Sequence, residues 1–527
     1  MSRRKEVIYK YGRYAGKYLS DEECISLEKL MNLDMNHGVV EDLKNVIWDL
    51  SSHDVNMIKE AMSNEPVDFT DKRGKLLDHQ TLGVAYMFFA KRLVLGDSVG
   101  LGKTVEVAGL LNLLENNYMK SGKEFRFLYL TNKNIVSQAQ DELIKFTGNY
   151  VQTVYGEKPK VKKFIENNYG ELTSSVVGTH SLIKSLDFQE YLRGFILDTG
   201  DIPFDALIID ESGDILSNTA TQMYKDGMYL ANMFERVILL NATPFEKELR
   251  SFYAQLNFVD SSLLPTKTEF SDTYEVFDYY GNYPTFSGKY KNQEDFRKLV
   301  SYRYFARTRQ FLGAEMKDCT AEVIELPVTD EQRYLLKRTS MSQMVFDCPS
   351  YFTLEGIPTN VDTTPKLAAV LRILRDDWRD AKSVLIYARY KEAQWAIYQT
   401  LDELGYNVAV MNGDTSEKER EDTINRFRLG DISVLVTNVQ KGLNFGNCNH
   451  CIFYNFDPNT NNMVQFEGRM TRSFNIYNKH VKMLLTKGQE LSTFNKILSD
   501  RAEASNVFAG SDYSCVLSLL INEKEIN

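Results

Sequence analysis

The sequence predicts an α/β chain with two parallel-sheet lobes, a small helical N-terminal module and short helical insertions. Three observations carry that reading. Short apolar runs alternate with amphipathic helical stretches from about residue 71 to 258, a rhythm that builds parallel sheets. The same rhythm resumes over 361–490. Between them lies an irregular, aromatic-rich stretch that breaks the alternation.

At 527 residues the chain exceeds one small core, so several domains are expected. With 43% apolar and 25% charged residues it reads as globular, without an apolar run long enough to span a bilayer. The start, MSRRKEVIYKYGRYAGKY, has no apolar core of a secretory signal. Six scattered cysteines fit a reducing cytoplasm, and Cys448 and Cys451 read as buried thiols because no second pair completes a zinc site. The formal charge of −10 excludes a basic coat but not a local basic groove for nucleic acid.

Residues 1–70 read as a helical accessory module, with capping-box sequences at Ser20–Glu23 and Ser51–Asp54. The first lobe, 71–258, centres on LDHQTLGVAYMFFAKRLVLGDSVGLGKTVEVAGL, Leu77 to Leu110. Here an apolar strand runs into a turn containing Gly100 and Gly102, and Lys103-Thr104 opens a helix. Glycines let backbone N–H groups close on phosphate oxygens, and the helix N-terminus adds positive potential. Lys103 is expected at the β/γ-phosphates and Thr104 on Mg²⁺. Asp97 occupies the place of the usual first glycine, with Gly96 one position earlier.

Further along, FRFLYLT ends at Thr131, SSVVGTHSLIKS passes through Gly178 and Thr179, and FDALIIDES delivers Asp210 and Glu211 at a strand end. Ligands of open α/β sheets bind beyond such ends. Asp210 is therefore expected to hold Mg²⁺ and Glu211 to polarise the attacking water. After RVILLNATP, Asn241, Ala242 and Thr243 are expected beside the phosphates, sensing the γ-phosphate.

Residues 259–360 read as a helical insertion and linker region, with Tyr274–Tyr290 packing on its own domain, and KPKVKK at 158–163 reads as a solvated loop. The second lobe, 361–490, lacks a phosphate loop but ends in QFEGRMTRS, where Arg469 and Arg472 project from one helical face. They are expected to act on the first lobe's nucleotide as arginine fingers. Residues 491–527 read as a C-terminal helical tail.

This ordered set resembles superfamily 2 helicase motors, and within them the Swi/Snf-like DNA translocases. The resemblance rests on LDHQTLGV, GDSVGLGKT, DESG, LLNATPFEKELRSFYAQLNFV, YFARTRQ, VMNGDTSEKEREDTINRF, VLVTNVQKGLNF and QFEGRMTR, and covers about 75–490. It implies two RecA-like lobes, ATP and Mg²⁺ as cofactors, and duplex DNA as partner, with forks or junctions as the alternative. It places Gln80 on adenine, and Asp97, Gly100, Gly102 and Gln465 in the ATP site. It also implies DNA contacts at Thr131, Asn132, Gly178, Thr179, Asn412, Gly413, Ser416, Thr437 and Lys441. The sequence departs from the pattern at Gly213, which stands where a DEAH-type histidine is expected, and at the end of QFEGRMTRSFN. A compact motor of bacterial or phage cytoplasm is expected. A strand-separating or branch-migrating helicase, or an ATP-gated binding protein without turnover, stays open as an alternative.

Overall fold

A computed structural model of the chain describes residues 76–506, apart from 77, 121, 169–171, 173, 201, 243–248, 264–265, 281–282, 301–302, 308–318, 355, 358–363, 440–444, 446–447, 459 and 471–478. The expected 1–70 module and the tail beyond 506 lie outside the described residues. The chain divides near residue 311 into two compact units.

The first unit is built on a seven-stranded sheet. Its strands are β1 (Arg92–Leu95), β2 (Phe127–Thr131), β3 (Val151–Val154), β4 (Ser175–Thr179), β5 (Ala206–Ile209) and β6 (Arg236–Leu240). A separate hairpin, β7 (Glu275–Tyr280) and β8 (Tyr283–Tyr290), precedes the seventh strand, β9 (Tyr304–Phe305). The spatial order is β3-β4-β2-β5-β6-β1-β9, and every described pairing is parallel. β1, β2, β5 and β6 are buried along their whole length, the signature of strands covered by helices on both faces.

Two of these apolar strands begin with arginine, for a physical reason. The last carbonyls of a helix have no partner within it, and three buried arginines at the base of the sheet supply one. Arg92 donates to Val259 O (2.8 Å), Ala231 O (3.1 Å) and Phe234 O (2.7 Å). Arg236 donates to Met87 O and Phe88 O, and Arg303 to Ala90 O. The ends of helices Asp78–Ala90, Gln222–Ala231 and Leu249–Val259 are thereby tied to the sheet.

The second unit carries a six-stranded sheet of β10 (Cys319–Leu326), β11 (Val384–Tyr387), β12 (Val408–Met411), β13 (Val434–Thr437), β14 (His450–Phe453) and β15 (Lys479–Thr486). Their order is β10-β15-β14-β11-β13-β12, again with parallel pairings. Both units are thus α/β with parallel sheets.

The stretch read as a helical insertion and linker differs from that expectation. Glu275–Tyr280 and Tyr283–Tyr290 pair as the hairpin strands, held to helix Leu249–Val259 by Arg250 on Glu275 (2.8 Å) and by Leu249 N donating to Tyr290 Oη (3.1 Å). YFARTRQ contributes β9 to the first sheet, and CTAEVIEL contributes β10 to the second. KPKVKK lies in a helix, Lys158–Asn167, because Val161 and Phe164 give it a buried side. No helix among the described residues is long and apolar enough to cross a membrane.

A buried ammonium closes the rim of the second sheet. Lys366 donates to Asp347 Oδ1 (2.7 Å) and Glu490 Oε1 (2.6 Å) with all three side chains inaccessible. Asn455 Nδ2 adds a bond to Asp347 Oδ2 (2.7 Å). Burial pushes Asp347 up to about 6 although Lys366 opposes the rise. In a Lys366→Met variant Asp347, already raised by burial, loses that counter-charge and holds a proton that the unfolded chain releases. Folding then takes up a proton, so stability falls as pH rises through the folded-state value of Asp347. Urea denaturation is expected to show a loss of about 3–5 kcal/mol near neutral pH, shrinking as the pH is lowered toward about 5.

Candidate nucleotide site

The central strands β1, β6 and β5 are neighbours, and their carboxyl ends deliver the predicted nucleotide residues to one rim. β1 leads through residues 96–102 into helix Lys103–Lys120. Gly100 and Gly102 have φ of 88° and 90°, the left-handed region that glycine enters without steric cost. At Gly102 a side chain is doubly excluded, since a Cβ there would lie 2.5 Å from Gln80 Nε2. Gln80 is buried and donates to Leu101 O at 3.2 Å, so the residue expected at adenine is joined to the phosphate loop.

Lys103 stands in the first turn of its helix, and its ammonium donates to the loop's own carbonyl at Asp97 (2.7 Å). Burial lowers its pKa, opposed by the negative charges of Asp97, Glu211, Asp210 and Glu106. A cation held at the mouth of a glycine turn, at the N-terminus of an 18-residue helix, is an arrangement that phosphate oxygens complete. Thr104 is half-buried beside it.

The acidic pair follows β5. Asp210 is half-buried, accepts from Tyr129 Oη at 3.0 Å and from Glu211 N at 2.9 Å, and its carbonyl meets His180 Nε2 at 2.7 Å. Burial raises its pKa against the hydrogen bond from Tyr129 and the charge of Lys103. Glu211 has φ of 49°, an uncommon backbone state for a residue with a side chain.

Asp97 has a different part from the one its sequence position suggests. It is fully buried, and its carboxylate accepts from Arg307 N (2.8 Å) and Arg307 Nε (3.1 Å), with a further contact from the guanidinium. The same guanidinium donates to both oxygens of Glu106 at 2.8 Å. Strand register makes the meeting inevitable. β9 pairs Phe305 with Leu95, so two residues further on Arg307 comes level with Asp97. Burial pushes Glu106 well above the usual carboxylate range, the charge of Arg307 opposing and that of Asp97 adding. Space for the triad comes from Gly83, where a Cβ would lie 2.0 Å from Glu106 Oε2. Arg307 is the residue that sequence reading missed. Its only local signal was a basic cluster 210 positions from its partner.

Asn241 follows β6 as expected, but its amide donates to Gln255 Oε1 at 2.8 Å. Ala242 is buried beside it, and Thr243 lies outside the described residues. In the second unit Gln465 is buried and Arg469 half-buried on helix Thr460–Met470. Arg472 and Lys441 lie outside the described residues.

The proposed DNA contacts separate by exposure. Asn132, Gly413 and Ser416 reach the surface. Thr131, Gly178, Thr179, Asn412 and Thr437 are buried, and several shape loops from within. A Cβ on Gly178 would meet Leu182 Cδ1 at 2.2 Å. Thr179 Oγ1 accepts from Gly156 N at 2.9 Å, and Thr437 Oγ1 accepts from Val439 N at 3.0 Å. Asn412 Oδ1 accepts from Asp414 N (3.0 Å) and its Nδ2 donates to Gln394 (3.2 Å). The Ser416 hydroxyl caps helix Glu417–Leu429 in a capping box with Glu419. Cys448 and Cys451 are buried free thiols, and among the described residues no cluster of three or more His, Cys, Asp or Glu is placed to hold a metal.

Removing one member of a buried ion cluster strands the others. Arg307→Ala is therefore expected to destabilise the protein by about 3–5 kcal/mol in urea denaturation. Glu106→Gln, which keeps shape at a position already favouring the protonated form, should cost distinctly less.

Residues 365–473 match the helicase conserved C-terminal domain. The chain is similar to the human DNA repair and recombination protein RAD54B, with 21% identity over 497 residues, covering 78% of this chain and 52% of that protein. It is 27% identical over 284 residues to DNA repair and recombination protein RAD54 of Oryza sativa subsp. japonica, covering 49% and 28% of the two chains. The ATP-dependent DNA helicase DDM1 of Arabidopsis thaliana is 24% identical over 260 residues, covering 47% and 31%. The chain spans about half the length of the RAD54B relatives it matches. Among solved structures, the Sulfolobus solfataricus SWI2/SNF2 ATPase core in complex with dsDNA aligns with 85% of this chain and 95% of its own at 18% identity, with a TM-score of 0.36.

Proposed function

We propose that this chain is a Swi/Snf-like superfamily 2 motor, a DNA-dependent ATPase that translocates on duplex DNA and remodels DNA or protein–DNA complexes. The observation that carries the reading is the shared rim at which Lys103, Asp210 and Glu211 lie close enough for their charges to act on one another. The relatives' descriptions as DNA repair proteins and a DNA helicase support DNA as the substrate. By the sequence resemblance, the proposed setting is bacterial or phage-infected cytoplasm.

The residues present fit ATP with Mg²⁺. Gln80 would face the base, the Gly100–Gly102 backbone and Lys103 the phosphates, and Thr104 and Asp210 the metal, whose contribution is to neutralise phosphate charge. Glu211, at the mouth of the same strand end, orients the attacking water and accepts its proton. Lys103 leaves the loop carbonyl for phosphate oxygen, exchanging a neutral acceptor for a charged one, which strengthens its hydrogen bond. Arg469, with Arg472, is proposed to supply positive charge to the phosphates as negative charge develops there. Asn132, Gly413 and Ser416 are the surface positions proposed to meet the DNA backbone, where contacts are salt-sensitive and carry little sequence information.

ATP hydrolysis should be measured without DNA and with single-stranded DNA, blunt duplex and a four-way junction. Strong stimulation by plain duplex is expected, and preference for the junction would favour the branch-migration alternative. Lys103→Ala should lose at least about 100-fold in kcat/KM, on the scale of a lost transition-state contact. Turnover retained in a folded Lys103→Ala protein would refute the assignment.

A further inference from the structure

The turn that presents Asp210 and Glu211 is held by a buried polar cluster. Glu211 sits at φ of 49°, and such a backbone persists only where the surroundings over-determine it. The surroundings here begin with Ser212, whose N donates to Leu240 O at 3.0 Å. Its hydroxyl lies 3.3 Å from Leu240 O and 3.2 Å from Gln255 Oε1. Gln255 Oε1 also accepts from Asn241 Nδ2 at 2.8 Å. Ser212, Gln255 and Asn241 are 0%, 1% and 3% exposed.

Gln255 lies on helix Leu249–Val259 among the buried Phe252, Leu256 and Val259, on the side where helical periodicity calls for an apolar residue. A buried amide there is costly unless its hydrogen bonds are made. Its oxygen makes them with the residue after Glu211 on one side and the residue after β6 on the other. Gly213 completes the fit, because a Cβ at that position would approach Asn241 Nδ2 to 2.6 Å. The gap left by the missing side chain at 213 is the space the Asn241 amide fills. Two strand ends, β5 and β6, thus converge on one amide oxygen.

We propose that Gln255 is a positioning residue for the hydrolytic step: by joining Ser212 to Asn241, its Oε1 holds the left-handed turn that aims Glu211. The inference rests on the ATPase reading above. Ground-state nucleotide binding, through Gln80, the phosphate loop and Lys103, does not pass through this bridge. Turnover does.

Gln255→Leu keeps the side chain's size and removes the acceptor, whereas Gln255→Glu keeps an oxygen at the same place. Under saturating duplex DNA, Gln255→Leu is expected to lower kcat about 10-fold while KM for ATP stays within about 2-fold, the signature of a contact that matters to the transition state alone. Gln255→Glu should recover most of that loss. Ser212→Ala, which removes one hydroxyl and serves if Gln255→Leu does not fold, should lower kcat in the same KM-independent way. Adding Ser212→Ala to Gln255→Leu should cost little more, because the two act through one bridge. Unchanged kcat in folded Gln255→Leu or Ser212→Ala, a change confined to KM, or equal losses in the Leu and Glu variants would overturn the inference while the unsubstituted protein still hydrolyses ATP. Absence of turnover in the unsubstituted protein overturns the motor reading, and this inference with it.

Discussion

The ion cluster of Arg307 with Asp97 and Glu106 is the constraint on which the nucleotide rim depends. It joins four stretches: the helix carrying Gly83, the phosphate loop at Asp97, the helix opened by Lys103, and the segment leaving β9. One guanidinium serves two carboxylates in a site without solvent, so the cluster favours keeping a proton, and Glu106 is the acid pushed upward. The planar fork of arginine suits this duty because it donates to two acids in fixed directions. A lysine ammonium lacks that geometry. The phosphate loop is consequently shaped from behind, by charge within the protein. Its backbone is tied to the same segment, with Gly96 N donating to Phe305 O and Ser98 N to Arg307 O.

That division of labour explains which parts of the site were legible in the sequence. The glycine turn, Lys103, and the strand-terminal Asp210 and Glu211 are local features, each defined by neighbours a few residues away. Spacing alone reveals them. Asp97 is also local, and it was grouped with the phosphate residues because it occupies a glycine's place in the motif. Its role depends on Arg307, which arrives through the register of a two-residue strand. A strand that short leaves no periodicity to detect. β10 escaped for a related reason: its alternating, largely half-exposed residues suit a sheet edge and lack the continuous apolar run of the central strands.

Most of the residues predicted to contact DNA have structural duties within their own loops. Small polar residues at strand ends look available, yet Thr131, Gly178, Thr179 and Thr437 are buried. A loop must first satisfy its own backbone before it can hold out groups to a ligand. Thr179 and Thr437 do this by accepting backbone N–H groups, and Asn412 does it with both ends of its amide. Asn132 combines the two duties, because it reaches the surface while its amide lies 3.3 Å from Asp214 in the short helix after the acidic turn. The loop after β2 is therefore in direct hydrogen-bond contact with the short helix that follows the turn carrying Glu211.

Both sheets treat their carboxyl rims in the same way. In the first unit Arg307 sits between two buried acids, and in the second Lys366 does, holding Asp347, 19 positions before it, and Glu490, 124 positions after it. A rim that must receive a polar ligand cannot be covered by apolar side chains, so hydrophobic packing, which fixes the sheet interior, is weakest where geometry matters most. A buried cation between carboxylates supplies directional bonds in that region, at a desolvation cost that makes it specific more than stabilising. The amide of Gln255 applies the same directional logic with a neutral group, its oxygen taking bonds from Ser212 and Asn241 at the ends of β5 and β6.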